Sequence, residues 1–156
     1  MDTSQNLLAG FGAVMVVLGV GHVLADHVLG QTDRQAARKA APSDEEVAAG
    51  VSPRRGWGAC LSHCLSYHLV LVGLYGAIRI AVPLPATALG STTALAWSFA
   101  THAILDRRWP VRWILRRLGS PQFADLRSAG LNGLYLADQA LHRTALIISA
   151  VLLVRL

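Results

Sequence analysis

At 156 residues the chain has the length of one domain, and 53% of it is apolar while only 15% is charged, which argues against an ordinary soluble fold and for a membrane protein. The formal charge of +5 would suggest a nucleic-acid partner if it were spread over a soluble face, but eleven of the fourteen basic residues fall in two connecting segments, so the excess reads as topological and nucleic acid is set aside. Cys60 and Cys64 stand one turn apart inside an apolar run, which excludes a disulfide-stapled secreted domain; they read as small buried residues.

The first apolar run, Leu7 to Leu29, is long enough to cross a bilayer at about 20 residues per span and carries His22, Asp26 and His27 near its end. It is read as a spanning helix rather than a cleavable leader, because no basic stretch precedes it and no small-x-small site follows. Residues 31–57 form a polar connection in which Ser43-Asp44-Glu45-Glu46 has the pattern of a helix cap, so a short surface helix is expected there. A second span is expected from about Gly58 to Val82, a turn at Pro83 and Pro85, and a third span from about Ala86 to Leu105. The segment Arg107 to Leu118 places proline at a helix start and apolar residues at helical spacing, the pattern of an amphipathic helix at the headgroup level. The last span is expected from about Ala129 to Leu156. The expected fold is thus all-α: one transmembrane domain over residues 1–156, an up-down bundle of four helices with a short interfacial helix between spans three and four. The long basic loops, about 31–57 and 107–128, are expected in the cytoplasm and both termini outside it, in a bacterial inner membrane.

Three of these spans carry an acid and a histidine four residues apart: His22 with Asp26, His102 with Asp106, and Asp138 with His142. That spacing sets each pair on one helical face. The second span offers His63 and His68, whose separation of five makes them diverge by about 140°, and His63 is preferred for the shared centre. Counted from the outer ends of their spans at 1.5 Å per residue, His22, His63, His102 and His142 lie at depths of about 22, 27, 24 and 18 Å, so all four fall in one layer. Ionisable groups inside a bilayer cost roughly 2.5 to 3.5 kcal/mol each, so such a layer must be paired, hydrated or metallated. The expected metal ligands are His22, Asp26, His63, His102, Asp106, Asp138 and His142, holding one or two divalent ions. Nitrogen and oxygen donors without nearby thiolates favour zinc first, then manganese or iron, over copper(I). A metal-free proton network is the competing reading, and bis-histidine haem a third that suits the three carboxylates poorly. His27 and His68 are expected at the surface or behind the ligands, with Gln31, Asp33 and Gln139 supporting them.

Gly21-His22-Val23-Leu24-Ala25-Asp26, Gln31-Thr32-Asp33 with Lys39, His63 with Tyr67, Thr101-His102-Ala103-Ile104-Leu105-Asp106 and Asp138-Gln139-x-x-His142, taken in order, resemble a family of small bacterial and phage membrane proteins catalogued as domain of unknown function 3307. The resemblance implies a multi-span protein in which these polar positions recur, and brings no established activity. The chain departs from the family pattern in having His27 in place of an aromatic and Gly30 as an extra residue before Gln31.

The function expected is a metal-dependent hydrolase acting on a lipid or other amphiphile, with Asp138 and Asp26 as candidate proton acceptors and Arg143 steadying an anionic substrate or snorkelling to headgroups. A transporter or channel for divalent cations or protons is the alternative, although the outer halves of the spans offer Arg79 as their only charge. The bilayer is the expected partner. Ala129, Gly130 and Gly133 are small enough to pack helices within the chain or between copies of a homo-oligomer.

Overall fold

The computed structural model describes residues 3–156. In chain order it contains α1 (Thr3–Leu24), a π-helical turn (Ala25–Leu29), α2 (Asp33–Arg38), α3 (Asp44–Ala48), α4 (Trp57–Ala81), α5 (Ala88–Asp106), α6 (Trp109–Leu118), α7 (Pro121–Asp125), strands β1 (Arg127–Ser128) and β2 (Leu131–Asn132), and α8 (Gly133–Arg155). The polar connection holds two short helices where one was expected. Each is opened by a reciprocal cap: Thr32 with Gln35, and Ser43 with Glu46.

The chain divides into two compact units. The first comprises residues 3–31, 65–100 and 143–156. Its core is built from four helical segments: Val14 and Leu18 of α1, Tyr67 and Leu71 of α4, Ala94 of α5, and Leu146, Ala150 and Leu153 of α8. Outward, the same helices present Val16, Val20, Leu69, Ile80 and Val151. Apolar side chains on both faces are what a helix between protein and lipid requires, since hydrocarbon offers no partner for polar groups.

Among the described residues, three helical stretches are long and apolar enough to cross a membrane: Ser4–Leu29, Trp57–Ala81 and Gly133–Arg155. α5, expected as the third span, is not among them; its 19 residues include Gly90, Ser91, Thr92, Thr93, Ser98 and Thr101.

Two boundaries differ from expectation. The last long helix begins at Gly133, not near Ala129, because Arg127–Asn132 forms a two-stranded hairpin with Ser128 opposite Leu131. Ala129 and Gly130 form its turn with φ of 49° and 82°, the left-handed pair that a tight hairpin demands. Neither residue therefore lies on a helix-packing face. Gly133 is small for a local reason: a Cβ there would fall 1.8 Å from the Phe123 carbonyl oxygen. The second difference is the π turn at Ala25–Leu29, which widens the last turn of the first long helix by a residue.

The second unit comprises residues 32–64 and 101–142. Arg107 anchors it, its guanidinium donating to the carbonyls of Lys39 (2.8 Å) and Arg55 (2.6 Å) and lying 4.7 Å over the Trp57 ring. This arginine is buried with each terminal nitrogen bonded to a carbonyl and an aromatic ring against the guanidinium.

A candidate metal centre in the second unit

Three helices supply the polar cluster of the second unit. α4 contributes His63, α5 ends on His102 and Asp106, and the first half of α8 contributes Asp138 and His142; all five side chains are buried. The i,i+4 spacing acts as expected, setting His102 and Asp106 on one face of α5 and Asp138 and His142 on one face of α8.

The distances within the cluster are specific. His63 Nε2 lies 3.2 Å from His102 Nε2 and 3.4 Å from Asp106 Oδ2, and His102 Nε2 lies 3.3 Å from the same oxygen. Three donors therefore form a nearly equilateral triangle. Metal–ligand bonds of about 2.0 to 2.2 Å at a tetrahedral centre place neighbouring ligand atoms about 3.3 to 3.6 Å apart, so the triangle is close to the dimensions of one face of such a tetrahedron. A hydrogen bond between the two imidazoles accounts for one edge only. Asp106 Oδ2, moreover, is buried and accepts no well-aligned hydrogen bond among the described residues, a costly state for a carboxylate that a cation would relieve.

On its other oxygen Asp106 is paired with Lys39 at 2.9 Å, both side chains being buried. His142 Nε2 stands 3.9 Å from that same oxygen, and Asp106, Asp138 and His142 together form a second group able to converge on an ion. The Nδ1 of His142 is 2.9 Å from the Asp138 carbonyl oxygen. With that carbonyl accepting the Nδ1 proton, the Nε2 lone pair is directed at the cluster, as metal-binding histidines are ordinarily oriented. Asp138 Oδ1 is likewise buried without a hydrogen-bond partner among the described residues. His102 and His142 meet edge to face with ring centroids 4.6 Å apart.

The thiols are closer than the sequence suggested. Cys60 and Cys64 are fully buried, and with Asp106 they form a third group with one potential ligand atom each within 4.8 Å of the others. Cys60 donates its S–H to the Ala103 carbonyl at 3.3 Å. The expectation of a centre without thiolates nearby is therefore corrected: one helical turn on α4 sets Cys60 and Cys64 beside the face that carries His63. Lys39 was also missed as a partner of Asp106, since nothing in the local spacing of a loop lysine tells that it turns inward.

Of the remaining expected residues, His22, Asp26, His27, Gln31, His68 and Arg143 belong to the first unit, and Asp33 and Gln139 to the second. His22 is fully buried, its Nδ1 3.1 Å from the Tyr67 hydroxyl. Asp26 is buried within the π turn with His27 Nδ1 at 3.8 Å, while the His27 ring stays partly exposed. His68, expected at the surface or behind the ligands, is buried, bonded to Ser98 at 3.0 Å and packed against Tyr67 and Phe99. Arg143 is exposed, which suits snorkelling. Gln139 is buried, Gln31 half-buried and Asp33 exposed.

No family model, curated protein or solved structure matches the chain. The chemistry of the site therefore rests on its own geometry.

Proposed function

We propose that the protein is an integral membrane, metal-dependent hydrolase whose centre is the triangle His63, His102 and Asp106. The observation that carries this reading is the set of three edges, 3.2, 3.3 and 3.4 Å, which match a tetrahedral metal face. The ion is zinc in this proposal, since nitrogen and oxygen donors with thiols in reach suit it better than manganese. Lys39 favours a single ion, because its ammonium already neutralises the oxygen of Asp106 that a second metal would need. Such an ion supplies a water acidified towards neutral pH. Asp138, buried and unsatisfied at Oδ1, is placed in the role of proton acceptor. His142, whose Nε2 stands 3.9 Å from the Lys39-paired oxygen of Asp106, lies beside this set with Asp138.

The same reading takes all four long helices across the bilayer, α5 included. Its hydroxyls support this, because Thr92 and Thr93 donate back to the carbonyls of Ala88 (2.7 Å) and Leu89 (2.8 Å), leaving little polar surface towards lipid. The basic segments are then cytoplasmic by the positive-inside rule, the substrate is a lipid or other amphiphile, and membership of the family the motifs resemble is part of the same proposal.

The test compares turnover of ester and phosphodiester lipids by the purified chain in uncharged detergent with metal-ion and proton flux in sealed vesicles. Turnover that is abolished by chelation, restored by zinc and reduced at least 100-fold in Asp138→Asn is expected. Flux without turnover overturns the hydrolase in favour of a transporter.

A further inference from the structure

A second feature of the second unit lies outside the metal centre. A cavity of about 590 Å³ opens between the 40–46 segment, α6 and the hairpin, within the size range of small-molecule sites. Six arginines line it against two carboxylates, Asp44 and Glu46. The balance is more one-sided than that count suggests. Glu46 is already bonded to Arg55 at 2.6 Å, which leaves Asp44 as the one lining acid not held by an arginine. Arg107 is consumed by backbone carbonyls, and Arg116 reaches Asp125 only at 3.8 Å.

Two details point to a ligand rather than to a solvated basic face. Arg112 lines the cavity, and its Nε is buried with no hydrogen-bond acceptor among the described residues, so this guanidinium is left one partner short. Arg108 holds a left-handed backbone with φ of 61°, a strained conformation for a residue with a side chain, at the point where the chain turns from α5 into α6. Trp109 and Trp113 flank the cavity and are more than half exposed, as aromatics at a membrane boundary are.

We propose that this cavity is a binding site for a phosphate group, with Arg108, Arg112, Arg117 and Arg127 as its donors. Guanidinium forks match phosphate oxygens in pairs, and the missing acceptor of Arg112 Nε is what a phosphate oxygen provides. The phosphate belongs either to a lipid headgroup, with its chains leaving past the tryptophans, or to a soluble phosphate. None of the metal-centre side chains lines this cavity.

The full chain in uncharged detergent is titrated with dihexanoyl phosphatidic acid, with inorganic phosphate and with dihexanoyl phosphatidylcholine, read by tryptophan fluorescence. Saturable binding of phosphatidic acid is expected, at least tenfold weaker in Arg112→Gln and in Arg127→Gln and unchanged in Arg155→Gln, whose side chain lies outside the cavity. Arg112→Lys keeps the charge and loses the Nε donor, so binding weaker than wild type in this variant identifies hydrogen bonding beyond bulk charge. Displacement of the lipid by inorganic phosphate at similar concentration assigns a soluble phosphate, and binding of the lipid alone assigns the headgroup. Non-saturable binding, or equal binding in all the arginine variants, overturns the site. Binding that survives chelation while turnover is lost separates this result from the metal-centre proposal.

Discussion

Asp106 sits between two kinds of cation. One carboxylate oxygen faces the Lys39 ammonium at 2.9 Å and the other faces two imidazole nitrogens, so this residue joins an ion pair to the candidate metal face. Breaking a buried pair by removing one partner costs about 3 to 5 kcal/mol, because the remaining charge is left in a low dielectric. Lys39→Met is therefore expected to lower stability by that amount in metal-free protein and by clearly less once metal is bound. Denaturant titration with and without chelator checks this; equal losses in the two states would show that no cation shares the carboxylate. The pairing of Asp106 with His102 and of Asp138 with His142 was legible in the sequence because a helix repeats every 3.6 residues and both partners lie on one helix. Lys39 was not, because the contact spans 67 positions and depends on how a loop folds back. The approach of Cys60 and Cys64 to Asp106 is equally non-local, joining α4 to the end of α5.

Among the elements, the π turn at Ala25–Leu29 depends on its closing glycine. At Gly30 a Cβ would come within 2.3 Å of the Ala25 carbonyl oxygen and 3.0 Å of the Tyr67 Cα, both backbone atoms that cannot swing aside. Gly30→Ala is expected to cost about 1 to 3 kcal/mol, as overpacking generally does. A thermal-unfolding midpoint equal to wild type would contradict this. Helix α3 carries a pH dependence of its own. The Ser43 backbone N–H, with Arg55 second, holds the half-exposed Glu46 carboxyl below the usual carboxylate range. A depressed folded pKa means the cap contributes fully above the unfolded value of about 4.3 and is lost as pH falls through the folded one. Amide exchange at residues 44–48, corrected for its intrinsic pH dependence, is expected to speed up only in that acid window, and Glu46→Gln to remove the transition. The cap itself was readable from Ser43 and Glu46, whereas strands of two residues at Arg127–Ser128 and Leu131–Asn132 are too short to leave an alternating pattern.

For the molecule as a whole, the long helices α1, α4 and α8 followed from apolar runs that hydropathy alone reveals. α5 was visible as a helix, but its Gly, Ser and Thr content leaves its crossing to be decided by packing and back-bonded hydroxyls that no hydropathy sum includes. That decision fixes the topology. If α5 crosses, the two basic segments share one side of the membrane; if it does not, they face opposite sides. In a chain whose Cys60 and Cys64 are replaced by alanine, single cysteines at Ser52 and Ser120 are expected to react with a membrane-impermeant maleimide from the same side. Reaction from opposite sides would leave a three-span protein and remove the cytoplasmic placement of one basic segment.

The central claim is that His63, His102 and Asp106 surround a metal ion, and metal analysis of the gently purified full chain tests it most directly. One equivalent of zinc per chain is expected in the wild type, falling below a tenth of an equivalent in His63→Ala and in His102→Ala while Arg155→Gln retains it. A folded wild-type protein that neither carries a divalent metal nor takes up zinc at stoichiometric concentration contradicts the claim.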